Sequence, residues 1–515
     1  MFVGNAIELR NVTKTFGTII ANDDVTLTIR EGEILSLLGE NGSGKTTLMN
    51  MLSGIYFPDS GSIFVKGEQV EIRSPKDAYD LKIGMVHQHF KLIDVFTATE
   101  NIALGTDKNS QGRFSLRSVK AKAREICERY GFDLNLDQKV YEMSVSQKQT
   151  LEIVKVLYRG ADYLILDEPT AVLTPQEVEK LFAVIRNMKA DGKSVVIITH
   201  KLKEVLEISD RVAIMRKGRF IGSVLTAEAT EGSLTEMMVG EKVELNIARS
   251  TPSDVIKRIE VRNLSVINHE GLRVLTDINF DINGGEILGI AGISGNGQKE
   301  LLESIAGLQR TISGTSIKYY PGENGEKELQ LVGMNPRDIR NAGIHLAFVP
   351  EDRLGMGLVR SMGMDENMML KTYDEGSSII TNRKLPREMA EQIKESLGVV
   401  TPSITTPVAQ LSGGNVQKVL VGREISSDPT VIMTAYAVRG LDINTSYTIY
   451  RLLNEQKERG TAVVYVGEEL DVLLELCDRI LVLCGGRVSG IVDAREVTKE
   501  ELGLLMTKYG GKEEG

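Results

Sequence analysis

The sequence predicts an α/β chain of two tandem, homologous domains, each a parallel-strand core with helices around a phosphate-gripping loop. Three observations predict it. A glycine-rich loop, Gly39-Glu40-Asn41-Gly42-Ser43-Gly44-Lys45-Thr46, lies between an apolar run (Ile34-Leu35-Ser36-Leu37-Leu38) and a helix start (Thr47-Leu48-Met49). A second apolar run, Tyr163-Leu164-Ile165-Leu166, ends in Asp167-Glu168. The punctuation of the first half then returns in the second.

Bulk properties narrow the class. The chain has 515 residues, 42% apolar and 26% charged, with no Trp and a net charge of −10. That length suits two to four globular domains. The acidic balance argues against a nucleic-acid partner, because phosphate backbones select basic faces. Cys127, Cys477 and Cys484 have no metal-type spacing and suit a reducing compartment. No signal peptide is expected, and no apolar run is long enough to span a bilayer.

The loop fits the phosphate-binding pattern G-x-x-x-x-G-K-[ST]. Its glycines let backbone N–H groups turn inward around phosphate oxygens, and the helix dipole adds positive potential. Lys45 is expected on the β/γ-phosphates and the Thr46 hydroxyl on Mg²⁺. Upstream, Ile7-Glu8-Leu9 and Val25-Thr26-Leu27-Thr28-Ile29 alternate as half-buried strands do. Phe16 is either an aromatic free to stack on an adenine or a core residue. Downstream, Pro58-Asp59-Ser60-Gly61 is a turn before the strand Ile63-Phe64-Val65.

The strand Ile83–Val86 ends in His87-Gln88-His89. Gln88 can reach Mg²⁺ or an attacking water through its amide. A metal site built on the two histidines is rejected, since a structural zinc wants four ligands. Residues 91–142 read as helical. Asp167 is expected to hold the Mg²⁺ shell and Glu168 to orient or deprotonate the attacking water. Val178, Leu181, Phe182, Ile185 and Met188 mark one helix face, and the strand Ser194–Thr199 ends at His200, a candidate γ-phosphate sensor.

The repeat decides the architecture. Gly32-Glu33-Ile34-Leu35 returns as Gly285-Glu286-Ile287-Leu288, Ser60-Gly61 as Ser313-Gly314, and Met143–Gln147 as Leu411-Ser412-Gly413-Gly414-Asn415. The domains are read as 1–240 and 257–515, with 241–256 as a polar linker. In the second half Gln298 and Lys299 follow Gly297, Glu351 replaces Gln88, Ala435-Tyr436 replaces Asp167-Glu168, and Glu468 replaces His200. The second loop keeps its backbone and loses its catalytic side chains.

Together, the phosphate loop, the strand ending at Gln88, the Leu-Ser-Gly-Gly segment, the Asp-Glu strand end and the following His resemble the nucleotide-binding domain of ABC transporters. The resemblance covers nearly all of both halves. It implies two tandem P-loop NTPase domains, each with a RecA-like core, an antiparallel β part and a helical subdomain. It implies ATP and Mg²⁺ as cofactors, with Lys45, Gln88, Glu168 and His200 catalytic and Thr46, Gln88 and Asp167 at the metal. ATP contacts are implied for Phe16, Gly39, Asn41, Gly42, Ser43, Gly44, Lys45, Thr46 and Thr47. The family also closes the Leu-Ser-Gly-Gly segment of one domain over the ATP of the other, so Ser412, Gly413, Gly414 and Asn415 are implied at the intact site. The degraded loop then pairs with Met143–Gln147, where Ser146 replaces the second glycine; Thr174 stands where an Asp is usual. One hydrolytic and one degenerate site are expected.

Gly295-Asn296-Gly297-Gln298 and Val349-Pro350-Glu351-Asp352-Arg353 resemble the ATPases of ribose and galactoside importers. Met85-Val86-His87-Gln88-His89-Phe90 is closer to the nucleoside-importing relatives. The resemblance implies two transmembrane permease subunits, an extracytoplasmic substrate-binding lipoprotein, no nucleic acid, and attachment at the cytoplasmic membrane face through the permeases. The helices in 91–142 and 352–410 would meet the permeases. A soluble twin-domain ATPase of the ribosome is the alternative, disfavoured by the short linker and the degraded site. A DNA-repair or chromosome ATPase is disfavoured by the missing zinc cysteines and coiled-coil heptads.

Overall fold

The computed structural model describes residues 4–17, 19–87, 90–104, 115–171, 173–240, 246–252, 255–268, 271–293, 295–321, 328–341, 346–350, 352–372, 383–426, 429–439 and 441–507. The chain divides into two units, Met1–Glu244 and Leu245–Gly515.

In the first unit, β1 (Asn5–Phe16) and β2 (Ile19–Arg30) pair antiparallel and join β4 (Ser60–Val65) and β5 (Glu68–Val70) in a four-stranded sheet, order β2-β1-β4-β5. Their burial alternates, with Val25, Leu27 and Ile29 inward, as one covered face requires. The second sheet has six strands in the order β10-β9-β3-β8-β7-β6. It comprises β3 (Ile34–Leu38), β6 (Ile83–Val86), β7 (Tyr163–Asp167), β8 (Ser194–Thr199), β9 (Arg211–Arg216) and the antiparallel edge β10 (Arg219–Leu225). Every residue of β3, β7 and β8 is buried. Strands covered on both faces are mostly apolar, which is why they read as hydrophobic runs, with only Ser36, Ser194, Thr199 and the strand-end Asp167 as buried polar residues.

Three cores hold this unit. One joins the antiparallel sheet to the inner strands and the helix Lys45–Leu52. A second lies under the helix Pro175–Ala190, with Leu181, Phe182, Ile185 and Met188 inward as their spacing predicts. Thr174 caps that helix in a reciprocal box with Glu177, and Pro175 occupies the first turn, where its missing N–H costs nothing. The third core is helical, formed by Ala98–Ala103, Leu116–Tyr130 and Leu151 and Val154 of the helix Val145–Tyr158. The helices expected within 91–142 are thus Ala98–Ala103 and Leu116–Tyr130, followed by a 3-10 turn at Val140–Glu142.

The second unit repeats the plan. Its antiparallel sheet has the order β12-β11-β14-β15, with β11 (Ile256–Ile267), β12 (Arg273–Gly284), β14 (Ser316–Tyr319) and β15 (Leu329–Gln330). Its larger sheet runs β16-β17-β18-β13-β19-β20. There β13 (Ile287–Gly292), β16 (Leu346–Val349), β17 (Val431–Ala435), β18 (Ala462–Val466), β19 (Arg479–Cys484) and β20 (Arg487–Asp493) occupy the places of β3, β6, β7, β8, β9 and β10. Each unit also carries an ion pair between the residue before the loop strand and the start of the neighbouring strand in the sheet: Glu33 with Arg211 at 2.7 Å, both buried, and Glu286 with the half-buried Arg479. The helices Met364–Thr372, Lys384–Ser396 and Gly413–Ile425 share one core in the second unit, so RecA-like core, antiparallel part and helical part are each present twice.

The stretch read as a linker is partly committed to the second unit. Ile247 joins that unit's core, Arg249 donates to the Leu474 carbonyl at 3.0 Å, and the Ser250 carbonyl accepts from Lys457 at 2.6 Å. β11 already begins at Ile256. Among the described residues no helix is long and apolar enough to cross a membrane.

Candidate functional site

The site of the first unit gathers at the C-terminal edge of the parallel strands, where doubly wound sheets bind ligands. β3 delivers the chain into the loop. Gly42 and Gly44 take left-handed φ values of 80° and 96°. Gly44 is forced twice over, because a Cβ there would lie 2.3 Å from the Ala21 carbonyl oxygen. Behind it, the buried Asn22 amide donates to the Gly44 carbonyl at 3.1 Å.

Lys45 opens the helix and is buried, its Nζ donating to the Gly39 and Glu40 carbonyls at 2.6 and 2.9 Å. Burial pulls its pKa down, and Glu168, Asp167 and Glu40 oppose that pull. Asp167 ends β7, also buried, and burial with the neighbouring Glu168 pushes its carboxyl up to about 6. The Thr46 hydroxyl, hydrogen-bonded to that carboxyl, and Lys45 work in the other direction. Glu168 sits at φ 49°, a strained position for a non-glycine residue, held by its N–H donating to Ile198 of β8 at 2.9 Å. Its Oε1 lies 2.9 Å from Nδ1 of His200. Its Oε2 is buried with no hydrogen-bond partner, as are Ser43 Oγ and Asn22 Oδ1. Buried polar atoms are seldom left unpaired, so three near one loop point to a polar occupant.

The structure thus brings together Lys45, Thr46, Asp167, Glu168 and His200. Asn41 and Gly42 are exposed on the loop, and Thr47 is half-buried. Phe16 is 42% exposed, edge-on to Tyr56 at 5.1 Å between ring centroids, so the core reading of this residue fails. Gln88 lies outside the described residues. Ser412 belongs to the second unit, where it caps the helix Gly413–Ile425 by accepting from Asn415 N–H at 3.4 Å. In the first unit the matching cap, Ser144, is closed by a reciprocal bond from Gln147.

The second unit keeps the skeleton and changes the chemistry. Gln298 is buried at the place of Lys45 and donates to the Ile293 carbonyl at 3.1 Å. Tyr436 repeats the left-handed backbone of Glu168 at φ 53°, its N–H bonded to Val466 at 2.9 Å. Glu468, in the place of His200, pairs with Arg439 at 3.3 Å. Sequence reasoning missed Arg439 and Asn22: each acts through a partner distant in sequence, and neither has a local pattern.

A scan against family models matches the ABC transporter family over residues 22–171 and 275–434. A nucleoside import ATP-binding protein, NupA of Lactococcus lactis, is 40% identical over 97% of both chains. A guanosine import ATP-binding protein, NupO of Bacillus subtilis, is 40% identical over 99% of this chain and 98% of its own. A ribose import ATP-binding protein, RbsA 1 of Rubrobacter xylanophilus, is 37% identical over 97% of this chain and 98% of its own. With two family matches that each contain a phosphate loop, and full-length relatives at 40% identity, the chain belongs to the ABC transporter family and carries two ATPase cassettes in one polypeptide.

Proposed function

We propose that this chain is the ATP-hydrolysing subunit of an importer for a nucleoside or a simple sugar, with turnover at the first unit's loop. The observation that carries the reading is the Lys45, Thr46, Asp167, Glu168, His200 constellation, repeated in the second unit with every one of those side chains changed. Full-length relatives are named for nucleoside and ribose import, which supports the substrate class.

Lys45 already bridges two loop carbonyls and would exchange them for β- and γ-phosphate oxygens. Glu168 Oε2, without a partner, would accept a proton from the attacking water, while His200 holds Oε1 and fixes the carboxylate. The water oxygen bonds to the γ-phosphorus, the bond to the bridging oxygen breaks, and ADP leaves with that electron pair. The exposed Phe16 ring is proposed to stack on the adenine. Asn41, Ser43, Gly44 and Thr47 complete the phosphate cradle, and Ser412, Gly413, Gly414 and Asn415 would offer helix-start N–H groups to a γ-phosphate.

Thr46 and Asp167 present hard oxygen donors side by side, a set that fits Mg²⁺, and Gln88 is proposed beside them. When bound, the ion would neutralise charge between the β- and γ-phosphates. Two transmembrane permeases would hold the chain at the cytoplasmic membrane face, and a substrate-binding lipoprotein would supply the solute.

The test is capture of tagged Glu168→Gln protein from gently solubilised membranes with ATP present. Co-purification of polytopic membrane proteins is expected. Ribosomal subunits with no membrane protein would overturn the importer reading.

A further inference from the structure

The second unit's loop does not fit a divalent metal. Ala435, buried at the end of β17, stands where Asp167 supplies a carboxylate, and Lys299 stands where Thr46 supplies a hydroxyl. Two of the three oxygen donors are gone, and an ammonium, which repels a metal ion, has replaced one of them; Glu351, at the place of Gln88, lies outside the described residues. Lys299 and Ala435 line the same cavity, about 290 Å³ in volume, with Phe348 and Met356 on its wall.

At these two positions the changes compensate in charge, while Gln298 in the place of Lys45 removes one positive charge beside them. At the first loop, a divalent ion with the Asp167 carboxylate would present a net single positive charge to the phosphates. At the second, Lys299 with Ala435 presents the same. The Lys299 ammonium makes one long ion pair. It lies in the first turn of the helix Gln298–Ile305, its side chain half exposed, and its nearest carboxylate, Glu303, is 3.8 Å away, beyond hydrogen-bond range. The other cavity carboxylate, Asp352, is engaged in accepting from the Gly355 N–H at 2.8 Å. Gly295 and Gly297, at φ 89° and 97°, keep the loop open to phosphate as Gly42 and Gly44 do.

We infer that the second loop binds the polyphosphate of a nucleotide without a divalent metal, the Lys299 ammonium occupying the role of the ion. This rests on the reading of the chain as an ABC ATPase. With Tyr436 in the base position, the nucleotide held there is retained uncleaved.

The test uses the full chain carrying Lys45→Ala, which silences the first loop, titrated with a fluorescent ADP analogue in Mg²⁺ and in EDTA. Equal affinity in the two buffers is expected. Adding Lys299→Ala should weaken binding about tenfold in both, the scale of a lost charged hydrogen bond, and Lys299→Arg should retain it. Lys299→Thr with Ala435→Asp should make binding depend on Mg²⁺. Loss of binding in EDTA, no binding in either buffer, or no effect of Lys299→Ala would overturn the inference. The comparison of buffers needs no variant at position 299, so a misfolded variant does not obscure it. ATP turnover by the unaltered chain separates the two readings: turnover with no EDTA-resistant binding refutes this inference alone, and absence of turnover refutes the ATPase assignment.

Discussion

Glu168→Gln keeps the side chain's length and shape on a backbone at φ 49° and removes the proton acceptor. A positioned base is worth about 10² to 10⁴ in rate, roughly 3–5 kcal/mol of barrier. Nucleotide binding should survive, because Glu168 Oε2 makes no hydrogen bond that the substitution would break, and the amide oxygen can keep the contact to His200. Turnover on the full chain sums both loops. The second loop carries Ala435 and Tyr436 in place of the carboxylate pair, so its contribution must lie below the residual rate. A hundredfold loss would cap it at about one part in a hundred. The assay is phosphate release under saturating Mg-ATP, with binding followed by a fluorescent nucleotide. A loss smaller than about tenfold with intact binding would refute the assignment of Glu168 as base.

Three further outcomes follow from the geometry. Gly44→Ala drives a Cβ against the Ala21 carbonyl at an unfavourable φ of 96°, which should cost about 3 kcal/mol and lower the thermal midpoint; an unchanged melt would contradict the loop geometry. Cys127 is buried, its thiol pushed up to about 11, so about one thousandth of it is thiolate at pH 8. Iodoacetamide mapped by mass spectrometry should therefore modify the half-exposed Cys484 well before Cys127 or the fully buried Cys477. Asp59, held by Lys14 and Thr15, has its carboxyl lowered to about 2 from an ordinary 3.8. A depressed carboxyl stabilises the fold above its unfolded pKa and loses that effect as pH falls through the folded one. Asp59→Asn should thus flatten the stability curve between about pH 4 and pH 2 and leave its shape near neutrality alone.

Much of the site was legible because its residues sit at punctuated places. Lys45 and Thr46 follow the loop glycines, and Asp167, Glu168 and His200 each end or follow a strand whose burial on both faces makes it an apolar run. Substituted positions in the second unit could be read the same way, and the structure finds Tyr436 on the backbone of Glu168. What the chain order hides is contact at a distance. Asn22 supports Gly44 from another strand, Arg211 reaches Glu33 across the sheet, and Arg439 pairs with Glu468 from the following loop. Phe16 is ambiguous in the sequence because exposure at a strand end depends on what the neighbouring loop covers. The polar stretch read as a linker hides Ile247, a single apolar anchor that only the second unit's core reveals. Thr174, noted as a departure from the usual Asp, caps its helix as Asp442 caps Ile443–Glu458, so the fold loses nothing by the exchange.

The most direct test of the central claim, that hydrolysis belongs to the first loop alone, is ATP turnover by Lys45→Ala beside Gln298→Ala. Lys45 would offer a buried cation to the phosphates, where Gln298 at the matching place would offer a neutral amide. Lys45→Ala should abolish turnover, while Gln298→Ala should retain most of it. Comparable losses from the two substitutions would contradict the account.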